Sequence, residues 1–213
     1  MQSTQDISNQ IMDEHRNNKL RDNFFPKMID AMGYQHACEI GTDKGEFADH
    51  LLGKSNLQTL ACIDPWLDNF GSDYHPGRYH PHGATRKAQA QERLQKYGQR
   101  VVLMPHYSVD AARSVNLVMA NIDFVYIDGD HSLFGVYTDI MTWTPLIRIG
   151  GMVAGHDYKD GGDSGMLDYH GKQLPYRVKT VVDDFCSKYG FTLHVVGGVI
   201  KSWWFEKTHE FGT

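Results

Sequence analysis

From Gln35 onward, short apolar runs alternate with helix-forming stretches, and this rhythm constrains the fold more than any other feature of the chain. Ala37-Cys38-Glu39-Ile40 runs into Gly41, Thr59–Ile63 ends at Asp64, and Val101–Met104 is a third run. Asp123–Ile127 flows into Asp128-Gly129-Asp130-His131, and Met152-Val153-Ala154 ends at Gly155-His156-Asp157. Between these runs, Phe47 and Leu51 recur at helical spacing before Gly53, and Ala84–Tyr97 has helix-forming composition. Val136, Ile140, Trp143 and Ile147 follow at intervals of four, three and four. Strands apolar on both faces and alternating with amphipathic helices predict a parallel sheet covered on both sides.

The last third changes character. Val178, Val181, Val182, Phe185 and Cys186 form a helical stripe closed by Gly190. Two extended runs, Phe191–Val196 and Val199–Glu206, are then separated by Gly197-Gly198, a hairpin signal. The prediction is an α/β fold with a seven-stranded sheet, mostly parallel, ending in an antiparallel hairpin and carrying helices on both faces. Residues 1–34 are expected to be a helical extension preceding a domain at 35–213. Ile7, Ile11 and Met12 form its weak stripe, and a short helix follows Asn23, with Pro26 in its first turn and Gly33 past its end. Trp203-Trp204 lies on a strand, so one ring is expected to face the core and the other to point outward, onto a helix or a partner subunit.

Composition excludes several function classes. Over 213 residues, 41% are hydrophobic and 22% charged, enough apolar material for a core. A net charge of −5 without a basic block argues against nucleic-acid binding. No stretch approaches the ~18 apolar residues of a membrane span. The polar start, Met1-Gln2-Ser3-Thr4-Gln5-Asp6, argues against a signal peptide, so a cytoplasmic protein is expected. Cys38, Cys62 and Cys186 form no close pair and read as small core residues.

In an open parallel sheet, ligands bind beyond the carboxyl ends of the strands. Four of the five runs deliver polar or glycine-rich sequence there: Gly41-Thr42-Asp43-Lys44-Gly45, Asp64, Asp128–His131 and His156-Asp157. The first loop lacks the middle glycine of the dinucleotide fingerprint, so a ligand without pyrophosphate is expected. Asp64 stands where a carboxylate can accept hydrogen bonds from both hydroxyls of a ribose. Asp128, His156 and Asp157 end strands that, as neighbours, lie ~4.8 Å apart, so their side chains can converge. Carboxylates suit Mg²⁺ or Ca²⁺, and a histidine shifts the balance toward Mn²⁺ or a later metal. A metal-free site, with His131 and His156 as hydrogen-bonding residues, is the alternative.

These segments resemble a known family. Glu39-Ile40-Gly41, Cys62-Ile63-Asp64, Tyr126-Ile127-Asp128-Gly129-Asp130-His131-Ser132 and Gly150-Gly151-Met152-Val153-Ala154-Gly155-His156-Asp157-Tyr158 are similar to class I S-adenosylmethionine-dependent methyltransferases. Within that class they resemble methyltransferase family 24, related to catechol, caffeoyl-CoA and macrocin-type sugar O-methyltransferases. The resemblance implies a Rossmann-like fold in which Glu39, Gly41, Thr42 and Gly45 surround the methionine half of S-adenosyl-L-methionine, near Asp128. It implies that Asp64 holds the ribose and that Ser108 contacts the adenine. Asp128, His156 and Asp157 would hold Mg²⁺ or Mn²⁺, the position of His156 being usually a carboxylate in the sugar and catechol enzymes. Asp130 matches the general base of the sugar enzymes, with His131 the other candidate.

The implied activity is metal-assisted methyl transfer to a hydroxyl of a sugar or other small molecule, with neither nucleic acid nor membrane as partner. A homodimer would use the N-terminal arm and Trp203-Trp204. Displacement at a sulfonium favours excluded water, so a lid is expected from 65–83, with Trp66, Tyr74, His75, Tyr79, His80 and His82, or from 158–175, with Tyr169 and His170. A nicotinamide-dependent oxidoreductase and a non-catalytic binding module are the competing readings. The missing glycine and terminal hairpin argue against the first, and intact Asp128, Asp130 and Asp157 against the second.

Overall fold

The computed structural model describes residues 3–14, 20–67, 82–168, 170–197 and 200–210. Tyr74, His75, Tyr79, His80, Tyr169 and Gly198 lie outside them. Two helices, α1 (Thr4–Glu14) and α2 (Leu20–Met32), precede β1 (His36–Ile40). Then come α3 (Glu46–Lys54), β2 (Thr59–Ile63), α4 (Gly83–Leu94), β3 (Val101–Met104), α5 (Ser108–Ser114) and β4 (Ile122–Ile127). The chain continues through α6 (Leu133–Trp143), β5 (Ile147–Gly155), β6 (Asp160–Leu167), β7 (Gln173–Arg177), α7 (Val178–Tyr189), β8 (His194–Gly197) and β9 (Lys201–Glu206).

Seven strands form one sheet in the order β3-β2-β1-β4-β5-β9-β8. The first five are mutually parallel, and β9 runs antiparallel to both β5 and β8. The mostly parallel sheet with its terminal antiparallel hairpin is therefore the fold of this chain. Chain direction reverses its order between β1 and β4, the switch point where open α/β sheets leave a crevice.

Successive residues along the strands enter opposite cores, as period-two geometry demands. Cys38, Ala61, Val125 and Val153 join α5, α6 and α7 on one face. Ala37, Leu60, Phe124 and Met152 join α2, α3 and α4 on the other. Trp203 and Trp204 divide the same way: Trp203 joins the core under α5–α7, and Trp204 turns to the other face, onto a helix, with both 0% exposed. Trp204 stacks on His194 and meets Phe24 of α2, whose Phe24, Phe25, Met28 and Ile29 are fully buried. All three cysteines are buried and free.

Several boundaries differ from expectation for identifiable reasons. Helix α2 starts at Leu20, which puts Pro26 in its interior rather than its first turn. Proline cannot donate to the carbonyl four residues earlier, and that carbonyl, Asp22 O, accepts instead from Lys54 Nζ at 3.3 Å. Ile147 belongs to β5 and not to α6, because Pro145 disfavours continuation of the helix through Thr144. The segment 158–175 contains most of a two-stranded hairpin, β6–β7, whose register shifts twice. Its glycines at 161, 162 and 165 hide it from any alternating pattern.

Candidate active site

The ends of β1 and β4 are joined edge to edge, with Asp128 N donating to Ile40 O at 2.8 Å. A Cβ at Gly41 would stand 2.2 Å from the Asp128 carbonyl oxygen, and Gly41 has φ +86°. Glycine is required there because two backbones touch. At Gly45 an added Cβ would meet Leu94 of α4 at 3.0 Å, so that glycine admits a helix contact. Between them, Asp43 takes a left-handed φ of 50°. Its N–H donates to Asp64 Oδ2 at 2.9 Å, and its carbonyl accepts from Trp66 Nε1 at 2.7 Å. The other Asp64 oxygen accepts from Trp66 N at 2.9 Å. One carboxylate thereby ties the β1 loop to the β2 loop, and Arg86 of α4 bonds Asp43 from outside.

This rim opens onto a cavity of about 680 Å³, within the usual range for small-molecule sites. Gly41, Asp64, Ser108, Asp128, Asp130 and His131 line it, with Trp66, Tyr107, Phe134, Asp139 and Met166. Ser108, at the start of α5, accepts from Trp143 Nε1 at 2.8 Å. Asp139, buried on α6 beside Ser108, has its carboxyl pushed up to about 7 by burial. Asp130 Oδ1 accepts from Ser132 N at 2.8 Å, and a Cβ at Gly135 would lie 2.2 Å from the Asp130 Cγ. That carboxylate is built into the first turn of α6.

At the cavity wall, the ends of β4 and β5 bring four chemical groups together, of which Asp128 and His131 line the cavity. His131 Nε2 lies 3.2 Å from Asp128 Oδ1 and 3.3 Å from Asp157 Oδ2. His156 Nδ1 approaches the same two oxygens at 3.7 and 3.8 Å. Asp128, His131 and Asp157 each offer a donor atom within 4.8 Å of the others, a spacing a divalent ion can span. Burial would raise the Asp128 carboxyl, but hydrogen bonds from His131 and His156 hold it well below the usual carboxylate range. His131 Nδ1 is buried without a hydrogen-bond partner among the described residues. Tyr176 of β7 packs on the His131 ring at 5.1 Å, and Lys159 sits over Tyr176 while reaching Asp157 Oδ1 at 3.6 Å. The β6–β7 hairpin thus covers this cluster, and its Met166 lines the cavity.

A family model for a methyltransferase domain, methyltransferase family 24, matches residues 38–158. The chain belongs to that family. The resemblance to class I S-adenosylmethionine-dependent methyltransferases is borne out by this match. Among solved structures, the O-methyltransferase from Bacillus cereus in complex with SAH is 13% identical with a TM-score of 0.62, covering 97% of this chain and 92% of that one. TomG from Streptomyces achromogenes, an O-methyltransferase of tomaymycin synthesis in complex with SAM, is 13% identical with a TM-score of 0.62, covering 97% and 91%. No curated protein matches significantly. Among the described residues no helix is long and apolar enough to cross a membrane.

Of the expected cofactor residues, Gly41, Asp64, Ser108 and Asp128 line the cavity, whereas Glu39, Thr42 and Gly45 do not. Glu39 and Thr42 are buried. Glu39 is 2% exposed, and its Oε2 has no hydrogen-bond partner among the described residues. Burial, offset in part by the Thr42 hydroxyl, pushes its carboxyl up to about 8. Asp139 in the cavity lining and Arg21 beside Asp128 are neighbours that motif reading does not reveal. Arg21 of α2 places its guanidinium 4.8 Å from the centre of the Phe47 ring, with Nη1 3.8 Å from Asp128 Oδ2. It lies in an extension without any motif. Asp139 does leave a trace, as a charge next to Ile140 on the apolar face of α6.

Proposed function

We propose that this chain is an S-adenosyl-L-methionine-dependent O-methyltransferase, assisted by a divalent cation and acting on a hydroxyl of a sugar or other small molecule. The observation that carries the reading is the meeting of Asp128, His131, Asp157 and His156 beside a cavity whose rim is the Gly41 and Asp64 loops. The buried Glu39 carboxyl, whose Oε2 has no hydrogen-bond partner among the described residues, fits a ligand bearing an ammonium group. Asp64 holds the ribose with its remaining lone pairs, and Ser108 meets the adenine.

Asp128, Asp157 and His156 would hold the cation, preferably Mn²⁺ for a set that includes imidazole. When bound, it supplies Lewis acidity that lowers the pKa of an alcohol. His131 is the base. Both it and Asp130 line the cavity, but Asp130 Oδ1 is already engaged with Ser132 N at the start of α6. Asp128 Oδ1 and Asp157 Oδ2, at 3.2 and 3.3 Å from His131 Nε2, would stabilise the imidazolium formed when the ring takes the hydroxyl proton. The acceptor oxygen bonds to the methyl carbon as the carbon–sulfur bond breaks, leaving the thioether and a methyl ether. Trp66, Tyr107, Phe134 and Met166 offer apolar faces for a sugar or an aromatic ring.

Calorimetry of the full chain with S-adenosylmethionine and with Mn²⁺ tests this reading. Both are expected to bind, and Asp157→Asn is expected to abolish Mn²⁺ binding while leaving cofactor affinity within about threefold. Absence of binding heat and of thermal stabilisation at millimolar cofactor refutes it. Retention of full Mn²⁺ affinity in Asp157→Asn removes the metal assignment.

A further inference from the structure

Helix α2 brings a cation to the head of the sheet from outside the matched family region. Arg21 lies in its first turn, with Nε 3.1 Å from Asp22 Oδ1. Asp22 is itself fixed from α3, by His50 Nε2 at 3.5 Å from its carboxylate and by Lys54 Nζ on its carbonyl. The Arg21 guanidinium stacks on Phe47 and interacts with the Tyr126 hydroxyl, itself buried above the end of β1. Asp128 Oδ2 stands at 3.8 Å, beyond hydrogen-bond distance, so the fork is not closed onto it. Close by, Glu39 keeps its unpartnered Oε2. The Asp128 carboxylate, the Glu39 carboxyl and one guanidinium therefore flank the switch point, each held by a different element. An ammonium satisfies the first kind of group, and a carboxylate closes the fork of the second. A free amino-acid head group carries both.

We propose that Arg21 binds the α-carboxylate of the methionine end of the methyl donor, so that the N-terminal extension completes the donor site. This rests on the methyl-donor reading above. It makes α2 a part of the binding machinery as well as of the core.

The test compares S-adenosylmethionine with its decarboxylated form, which keeps the ammonium and sulfonium but lacks the carboxylate. Calorimetry uses the full wild-type chain, Arg21→Met and Arg21→Lys. Wild type is expected to bind the carboxylated donor at least about tenfold more tightly, the scale of one charge-assisted hydrogen-bonded pair. Arg21→Met is expected to lose that preference by weakening only the carboxylated donor, with the decarboxylated form within about twofold of wild type. Arg21→Lys, which keeps charge and stem, is expected to fall between. The ratio of the two affinities within one variant is independent of how much of that preparation is folded. Parallel weakening of both ligands, or an unchanged ratio, overturns the proposal. Failure of wild type to bind either ligand instead removes the reading on which it rests.

Discussion

Replacing Glu39 by Gln should stabilise the ligand-free protein at alkaline pH while impairing donor binding. The Glu39 carboxyl is pushed from 4.5 up to about 8, chiefly by burial. Between those values the unfolded chain has lost a proton that the folded chain keeps, so stability falls as pH rises through this window and levels off above it. The penalty is at most about 5 kcal/mol above pH 8, about 3 kcal/mol at pH 7, and below about 1 kcal/mol at pH 5. Glutamine has nearly the same shape and no charge, but its amide inherits a partner-poor site, which costs about 1–2 kcal/mol. The net expectation is a gain of about 2–3 kcal/mol at pH 8 and none, or a small loss, at pH 5. For a chain of this size that corresponds to about 2–4 °C in Tm per kcal/mol.

The assay is urea unfolding of wild type and Glu39→Gln at both pH values, with and without S-adenosylmethionine. Donor at a hundred times its Kd adds about 2.7 kcal/mol to a protein that binds it. Wild type is expected to make up most or all of the variant's advantage under that condition, because Glu39→Gln removes the carboxylate proposed to receive the ammonium. A difference between the two proteins that is the same at pH 5 and pH 8 refutes the argument. So does a variant that gains as much from the donor as wild type does.

Three further outcomes follow from the packing. Asp139→Asn should remove a second, smaller penalty of the same sign, raising stability at pH 8 but not at pH 4, since burial pushes this carboxyl up to about 7; thermal unfolding across that range checks it. Lys207 is fully buried and donates to Pro145 O, Ile147 O and Glu210, so Lys207→Met should cost about 2–4 kcal/mol in urea unfolding by leaving those acceptors unpaired. Gly41→Ala forces a Cβ onto the Asp128 carbonyl at a left-handed φ and should cost about 3 kcal/mol or more, with loss of donor binding by calorimetry.

The parallel part of the sheet was legible because its strands are apolar on both faces and four of the five stop at a glycine or aspartate. Asp64 and Asp128 could be assigned to one rim for the same reason, since parallel strands deliver their carboxyl ends to the same edge. The β6–β7 hairpin was not legible. Gly161, Gly162 and Gly165 have φ between 73° and 80°, and pairing with bulges needs no hydrophobic alternation. Helix α5 was hidden because its Ser108–Ser114 segment is too short for a periodic stripe. The place of Arg21 beside Asp128 depends on how α2 packs against α3 and the sheet, a contact between elements that no local spacing encodes.

Strain separates this edge from the rest of the molecule. Among the described residues, Asp43, Trp66 and Asp157 are the non-glycine residues with positive φ, at 50°, 43° and 49°. They stand at the carboxyl ends of β1, β2 and β5, though nothing in sheet geometry requires left-handed backbone there. Such conformations cost about 1–3 kcal/mol each and persist only where surrounding bonds over-determine them. Those bonds are present: Asp43 and Trp66 are locked to each other and to Asp64, while Asp157 is held by His131 and Lys159. The folded chain thereby fixes its binding edge before any ligand arrives. If that strain serves binding, replacing Trp66 by Phe, which cannot donate to Asp43 O, should loosen both loops and reduce donor affinity more than global stability. Calorimetry beside urea unfolding separates the two, and equal losses in both would show that the tryptophan serves packing alone.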